Sequence, residues 1–141
     1  MKKVLSVFLA LALCFSVLCA PASAAVENDP ITPRYTNATV AEVVLAINDS
    51  GLATVNSSCT AIRGTTWIRA TTYLEKKVNG TWTRVDILST DDQWVTMINT
   101  RLFSVTKTHQ LTSRGTYRAV TTFDVIAETT ETITVMFQAT Y

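Results

Sequence analysis

Tyr73-Leu74-Glu75-Lys76-Lys77-Val78-Asn79-Gly80-Thr81-Trp82-Thr83-Arg84-Val85 is the stretch whose reading decides the fold. Asn-Gly between two alternating runs is the strongest short hairpin signal, because a two-residue type I′ loop needs positive φ at both central residues. With Asn79-Gly80 as the loop, Leu74 faces Val85 and Thr72 faces Ile87 on one side of the ribbon. Glu75 then faces Arg84, and Lys77 faces Trp82, on the other. This register places an opposite-charge pair and a cation–aromatic pair across the strands, and a slip by one residue breaks both. It also assigns Ile68, Ala70 and Leu74 to the core, leaving Trp67, Arg69, Tyr73, Glu75, Lys77, Trp82, Arg84 and Asp86 outward.

The same period of two runs through the rest of the chain. Ala53, Val55, Ser57, Cys59 and Ala61 alternate with Thr54, Asn56, Ser58 and Thr60, after a turn at Asn48-Asp49-Ser50-Gly51. Shorter runs at Gln93–Ile98 and Arg101–Thr108 follow the Ser89-Thr90-Asp91-Asp92 loop. Tyr117, Ala119, Thr121, Phe123 and Val125 share one face of the next run, and Ile133, Val135, Phe137 and Ala139 share one face of the last. Short alternating runs separated by turn residues predict an all-β fold, an antiparallel sandwich of about seven or eight strands.

Composition supports that class once the N-terminus is set aside. Lys2 and Lys3, the apolar run Val4–Leu18 and the small residues Ala22-Ser23-Ala24 read as an export signal over residues 1–24, so the protein is expected to be secreted, outside the cell or at its envelope. Cys14 and Cys19 each follow a leucine, which argues against a lipid-modified cysteine. Residues 25–36, with Pro30 and Pro33, read as a lead-in, and 37–141 as one domain. The whole chain of 141 residues carries a formal charge of +1. Without Lys2 and Lys3 the remainder holds 10 basic against 11 acidic residues, so nucleic acid and anionic membrane are poor partners. No later apolar run approaches the roughly 20 residues of a spanning helix. The 25 Thr in residues 25–141, with Val next in number, form a strand vocabulary.

The residue inventory offers no catalytic set, and the chain reads as a non-enzyme without metal or cofactor. After export Cys59 is the sole cysteine, on an inward face, and His109 the sole histidine, ending a strand. A reactive cysteine needs an exposed, electropositive setting. Cysteine-based zinc is excluded by the count, and a weak Ca²⁺ loop at Asp91-Asp92 with Asp86 lacks the EF-hand spacing. A Lys–Asn cross-link would need Lys76, Lys77 or Lys107 buried beside an Asn and a carboxylate. The Thr pairs follow no fixed period, which disfavours an ice-binding array.

Gly115-Thr116-Tyr117-Arg118-Ala119 resembles the tyrosine corner of immunoglobulin-like domains, with Ala119 and Cys59 where antibody-type domains carry their disulfide. Together with Arg34-Tyr35, Cys59 in a small-residue strand and the Tyr73–Trp82 hairpin, it resembles a group of small exported proteins of Gram-positive bacteria that carry an uncharacterised immunoglobulin-like domain. The resemblance implies a fold and an export route and no activity. The functional expectation therefore rests on one surface. Trp82, Tyr73, Arg84 and Lys77, with Trp67 further along, form a candidate binding face for a glycan or a protein at the cell envelope. The alternative is a secreted inhibitor or effector that works through loops such as Ser89–Asp92 or Ser113–Gly115.

Overall fold

The computed structural model describes residues 34–87 and 92–141. The export signal, the lead-in up to residue 33 and Ser89-Thr90-Asp91 of the acidic loop lie outside the described residues. Eight strands follow in order: β1 (Ala38–Ile47), β2 (Leu52–Ala61), β3 (Trp67–Val78), β4 (Thr81–Arg84), β5 (Trp94–Ile98), β6 (Leu102–Gln110), β7 (Thr116–Ile126) and β8 (Thr130–Thr140). Every pairing is antiparallel. One sheet has the order β1-β2-β6, the other β4-β3-β7-β8 with β5 also on β3, and the two pack as a β-sandwich. Among the described residues no helix is long and apolar enough to cross a membrane.

The hairpin forms with the expected register from Glu75 opposite Arg84 to Val78 opposite Thr81. Asn79 and Gly80 take φ of 50° and 86°, the paired positive values a type I′ loop demands. The ladder continues to Val85, whose N–H donates to Leu74 O at 3.0 Å, and stops there. Thr72 pairs with Trp94 of β5 instead of Ile87. The twelve-residue β3 shares one edge between two short strands, and Ile87 leaves that edge to bury itself with Val43, Leu45 and Leu74.

At the far end of β1 the turn is tied by Asn48, whose Oδ1 accepts from the N–H groups of Ser50 and Leu52 at 3.1 and 2.9 Å. Gly51 follows with φ 83°, and a Cβ there would lie 2.7 Å from the Tyr141 ring. Only glycine meets both conditions. Tyr117 fixes the approach to β7 by donating its hydroxyl to Ser113 O at 2.6 Å. The opposite pole is clasped by Glu131, whose carboxylate accepts from the N–H of Thr36 (2.8 Å) and of Asn37.

Strand alternation fills the interior as expected for β2, β3 and β7, with Ala53, Val55, Cys59, Ile68, Leu74, Phe123 and Val125 all buried. The last strand departs from it. Ile133 is buried, but Phe137 is 44% exposed on this edge strand, between the half-buried Val135 and Ala139. His109 also departs. It lies within β6, half-buried, on the same side as Phe103 and opposite Ala53, instead of exposed at a strand end.

The apolar interior is divided in two. One half gathers Cys59, Ile68, Phe103, Phe123 and Ile133, the other Leu45, Val55, Leu74, Leu111 and Tyr117. Between them lie three buried hydroxyls, Ser57 of β2, Thr72 of β3 and Thr121 of β7. Ser57 Oγ and Thr121 Oγ1 are 2.9 Å apart, Thr72 and Thr121 Oγ1 2.9 Å, and Ser57 and Thr72 3.3 Å. A closed ring of three hydroxyls lets each donate once and accept once, so none is left unmet in the core.

Removing one member orphans the others. Thr121→Val keeps the shape and should lower unfolding stability by about 1–3 kcal/mol in urea titration. The triple variant Ser57→Ala, Thr72→Val, Thr121→Val should lose clearly less than the three single losses combined, since no buried hydroxyl remains to be satisfied. Additive losses would show that the ring is not a unit.

Candidate functional site

β3 carries the candidate face. Its alternation sends Ile68, Ala70, Thr72 and Leu74 into the core, so Trp67, Arg69, Tyr73, Glu75 and Lys77 stand on the outer side of the larger sheet. The hairpin adds Trp82 opposite Lys77 and Arg84 opposite Glu75, and β7 adds Arg118 on the other flank of Glu75. Four of the five expected residues, Trp82, Tyr73, Arg84 and Lys77, therefore meet around the hairpin. Trp67 is 40% exposed on the same face but sits opposite Ile126, six residues before Tyr73. At about 3.3 Å per residue that is about 20 Å away.

The contacts within this group differ from the cross-strand pairs the register suggests. Glu75 bonds to Arg118 Nε at 2.5 Å, not to Arg84. It has an arginine on each side, and takes the one on β7. Arg84 instead lies flat on Tyr73, its guanidinium carbon 3.1 Å from the ring centroid. Trp82 receives two cations, Arg118 at 4.4 Å and the expected Lys77 at 5.7 Å. Each such contact contributes about 0.5–1 kcal/mol at an exposed site. Beneath them Val120, on β7 between Tyr73 and Met136, is only 2% exposed although the alternation turns it outward.

This arrangement changes what the face offers. The rings of Tyr73 and Trp82 already hold the protein's own cations, so less of their surface is left for stacking on a ligand. A guanidinium stacked on a ring keeps its N–H edges free, however, and Arg84 and Lys77 are both exposed.

A second concavity lies at the other pole, where no motif announces it. The β2–β3 turn contributes Ile62, Arg63 and Gly64, the β7–β8 turn Ala127, Glu128 and Thr129, and Asn37 joins them; the groove holds about 280 Å³. Asn37 is 5% exposed and commits both amide hydrogens, to Val125 O at 3.3 Å and Thr129 O at 2.8 Å. These residues come from three segments with no shared motif, which is why linear reading misses them. Of the loops expected to matter, Ser89-Thr90-Asp91 falls outside the described residues. Ser113–Gly115 is occupied in holding Tyr117, and Ser113 Oγ accepts from Lys76 Nζ at 2.6 Å.

The remaining chemical candidates take structural places. Lys107 lines a water-sized cavity of about 10 Å³ with Ser57, Thr72, Trp94 and Thr96, a set without Asn or carboxylate for a cross-link. Cys59 is 1% exposed. Burial, helped by the negative charge of Glu131, pushes its thiol from the ordinary 9.0 up to about 11. A scan of protein-family models, a search of curated proteins and a search of solved structures each return no match to this chain.

Cys59 should leave a disulfide reagent unreacted at pH 8 in the native protein and react fully once unfolded in urea. Because the folded thiol binds its proton more tightly than the unfolded one, its contribution to stability is complete below pH 9.0 and declines as the pH rises toward 11. Cys59→Ala should flatten that decline, as followed by urea midpoints across the pH range.

Proposed function

We propose that this is an exported, non-enzymatic binding module with an immunoglobulin-like sandwich, acting at the cell envelope through the outer hairpin face of its larger sheet. The observation that carries the reading is the cluster of Tyr73, Trp82, Lys77, Arg84 and Arg118, which five separate positions on three strands bring onto one exposed surface. Aromatic and arginine side chains held rigid in this way are the typical anchors of recognition surfaces. The Tyr117–Ser113 bond and the division into β1-β2-β6 and β4-β3-β7-β8 support the immunoglobulin-like part of the proposal. Its ligand is a glycan or a protein of the envelope.

A second reading, an inhibitor or effector working through loops, is favoured by one observation, the groove of about 280 Å³ between the β2–β3 and β7–β8 turns. Its rims carry Arg63 and Glu128, neither with an ion-pair partner among the described residues.

Co-sedimentation with insoluble glycans and with isolated bacterial cell walls separates the two. Native protein should pellet with at least one of them, and Trp82→Ala or Tyr73→Ala, still folded by circular dichroism, should weaken retention at least roughly tenfold. Retention that survives both changes but is lost in Arg63→Glu would move the site to the groove. Retention indifferent to all three would remove both readings.

A further inference from the structure

Net charge hides a segregation that the fold makes visible. Residues 25–141 carry ten Lys and Arg. Five of them, Lys76, Lys77, Arg84, Arg114 and Arg118, gather at the hairpin pole, and each lies over an aromatic ring. Lys76 is 5.6 Å from the Tyr117 centroid and Arg114 4.9 Å from that of Tyr141. The described acids toward this pole are Asp49 of the β1–β2 turn, Glu75 of β3 and Asp86 after β4. Among the described residues the one ion pair is Arg118 with Glu75, so Lys77 and Arg84 have no described carboxylate within 4.0 Å. The rings hold these cations without neutralising them, and fix their positions in advance of any ligand.

From this we infer that the ligand of the hairpin face is an anionic polysaccharide, recognised by its charged groups through Arg84, Lys77 and the Nη2 of Arg118, and not by sugar rings stacking on bare aromatics. The inference rests on the hairpin face being the binding surface. Arg84 is placed for it: one face of its guanidinium covers Tyr73, and its planar N–H edge matches the paired oxygens of a carboxylate, sulfate or phosphodiester. Arg84, Glu75 and Arg118 occupy successive strands in one row, so the two arginine backbones lie about 10 Å apart, while the Arg118 guanidinium reaches onto Trp82, the ring that Lys77 also contacts, and that of Arg84 stays on Tyr73. The cations are shared between two rings, and a chain with repeated charges can follow them from Tyr73 to Trp82. The surface beside them is uncharged and rich in hydroxyl and amide groups. Thr116, Thr140 and Gln138 stand on the same side of β7 and β8, in the rows next to Lys77 and Glu75. Such groups exchange hydrogen bonds with the hydroxyls of a saccharide, which distinguishes this occupant from a bare phosphate chain.

The test is binding of the purified protein, at low salt, to immobilised polygalacturonate, dextran sulfate, a phosphodiester-linked glycan and neutral dextran, with double-stranded DNA as the phosphate chain without a polyol surface. Retention is expected on at least one acidic glycan, with little on dextran or DNA, and release in about 1 M NaCl, where the screening length falls to ~3 Å. The matrix that binds tells carboxylate, sulfate and phosphodiester apart. Arg84→Gln should weaken binding roughly tenfold, as loss of a charged hydrogen-bond donor does, and Lys77→Gln less. Arg101→Gln removes the same charge at the other pole and should change nothing. Equal weakening by Arg101→Gln, or retention on DNA matching that on the acidic glycans, would overturn the inference, because either means unspecific charge attraction. Binding to neutral glycans that depends on Trp82 but not on Arg84 would overturn it too, while leaving the hairpin face as the site. Binding that ignores Trp82, Tyr73 and Arg84 alike would remove both.

Discussion

Ser57, Thr72 and Thr121 satisfy one another at the centre of an interior that is otherwise apolar, and this ring constrains the sandwich more tightly than the apolar residues on either side of it. Hydrophobic contacts are non-directional, so two sheets with small residues on their inner faces can slide with little loss. Three hydroxyls from three strands and both sheets cannot. A shift of β2 by one residue carries Ser57 to the outer face, and a shift of two leaves Thr72 and Thr121 short of a partner. The ring thus fixes how the smaller sheet lies on the larger one. It thereby also places the β2–β3 turn beside the β7–β8 turn.

How far the linear sequence could be read depended on the distance over which each decision is made. The Asn79-Gly80 loop and the pairs nearest it are settled by local backbone chemistry, and they stand as the alternation indicates. Beyond Val85 the choice passes to tertiary competition. Thr72 is offered either Ile87 or Trp94, and Ile87 gains more from the core than from the ladder. Glu75 shows the same limit in its charge pairing, since Arg118 is 43 residues away and only the β3–β7 register brings it alongside. Phe137 and His109 follow the period of two faithfully in direction. Their exposure depends on how far the facing sheet extends, and periodicity carries no information on that.

The candidate face illustrates the same point for function. Its aromatic members were legible because outward aromatics on a half-buried strand are conspicuous. That their faces would be taken up by arginine and lysine was not, because those cations come from β4 and β7 as well as from β3. The consequence is chemical as well as geometric. A surface that looks like a stacking platform in one dimension becomes, in three, a set of oriented cations with aromatic supports.

The clasp of Glu131 on Thr36 and Asn37 lies at one pole of the sandwich, while Tyr141 packs on the Gly51 turn at the other. Tension applied between Arg34 and Tyr141 therefore runs along the strands. It loads the β1–β2 and β7–β8 ladders in shear, so that many hydrogen bonds must yield together instead of opening one after another. Resistance to such a pull is set by the unfolding rate and not by equilibrium stability. A domain held at its Arg34 end in flowing medium would keep its hairpin pole extended away from the point of attachment, and would keep its fold while doing so.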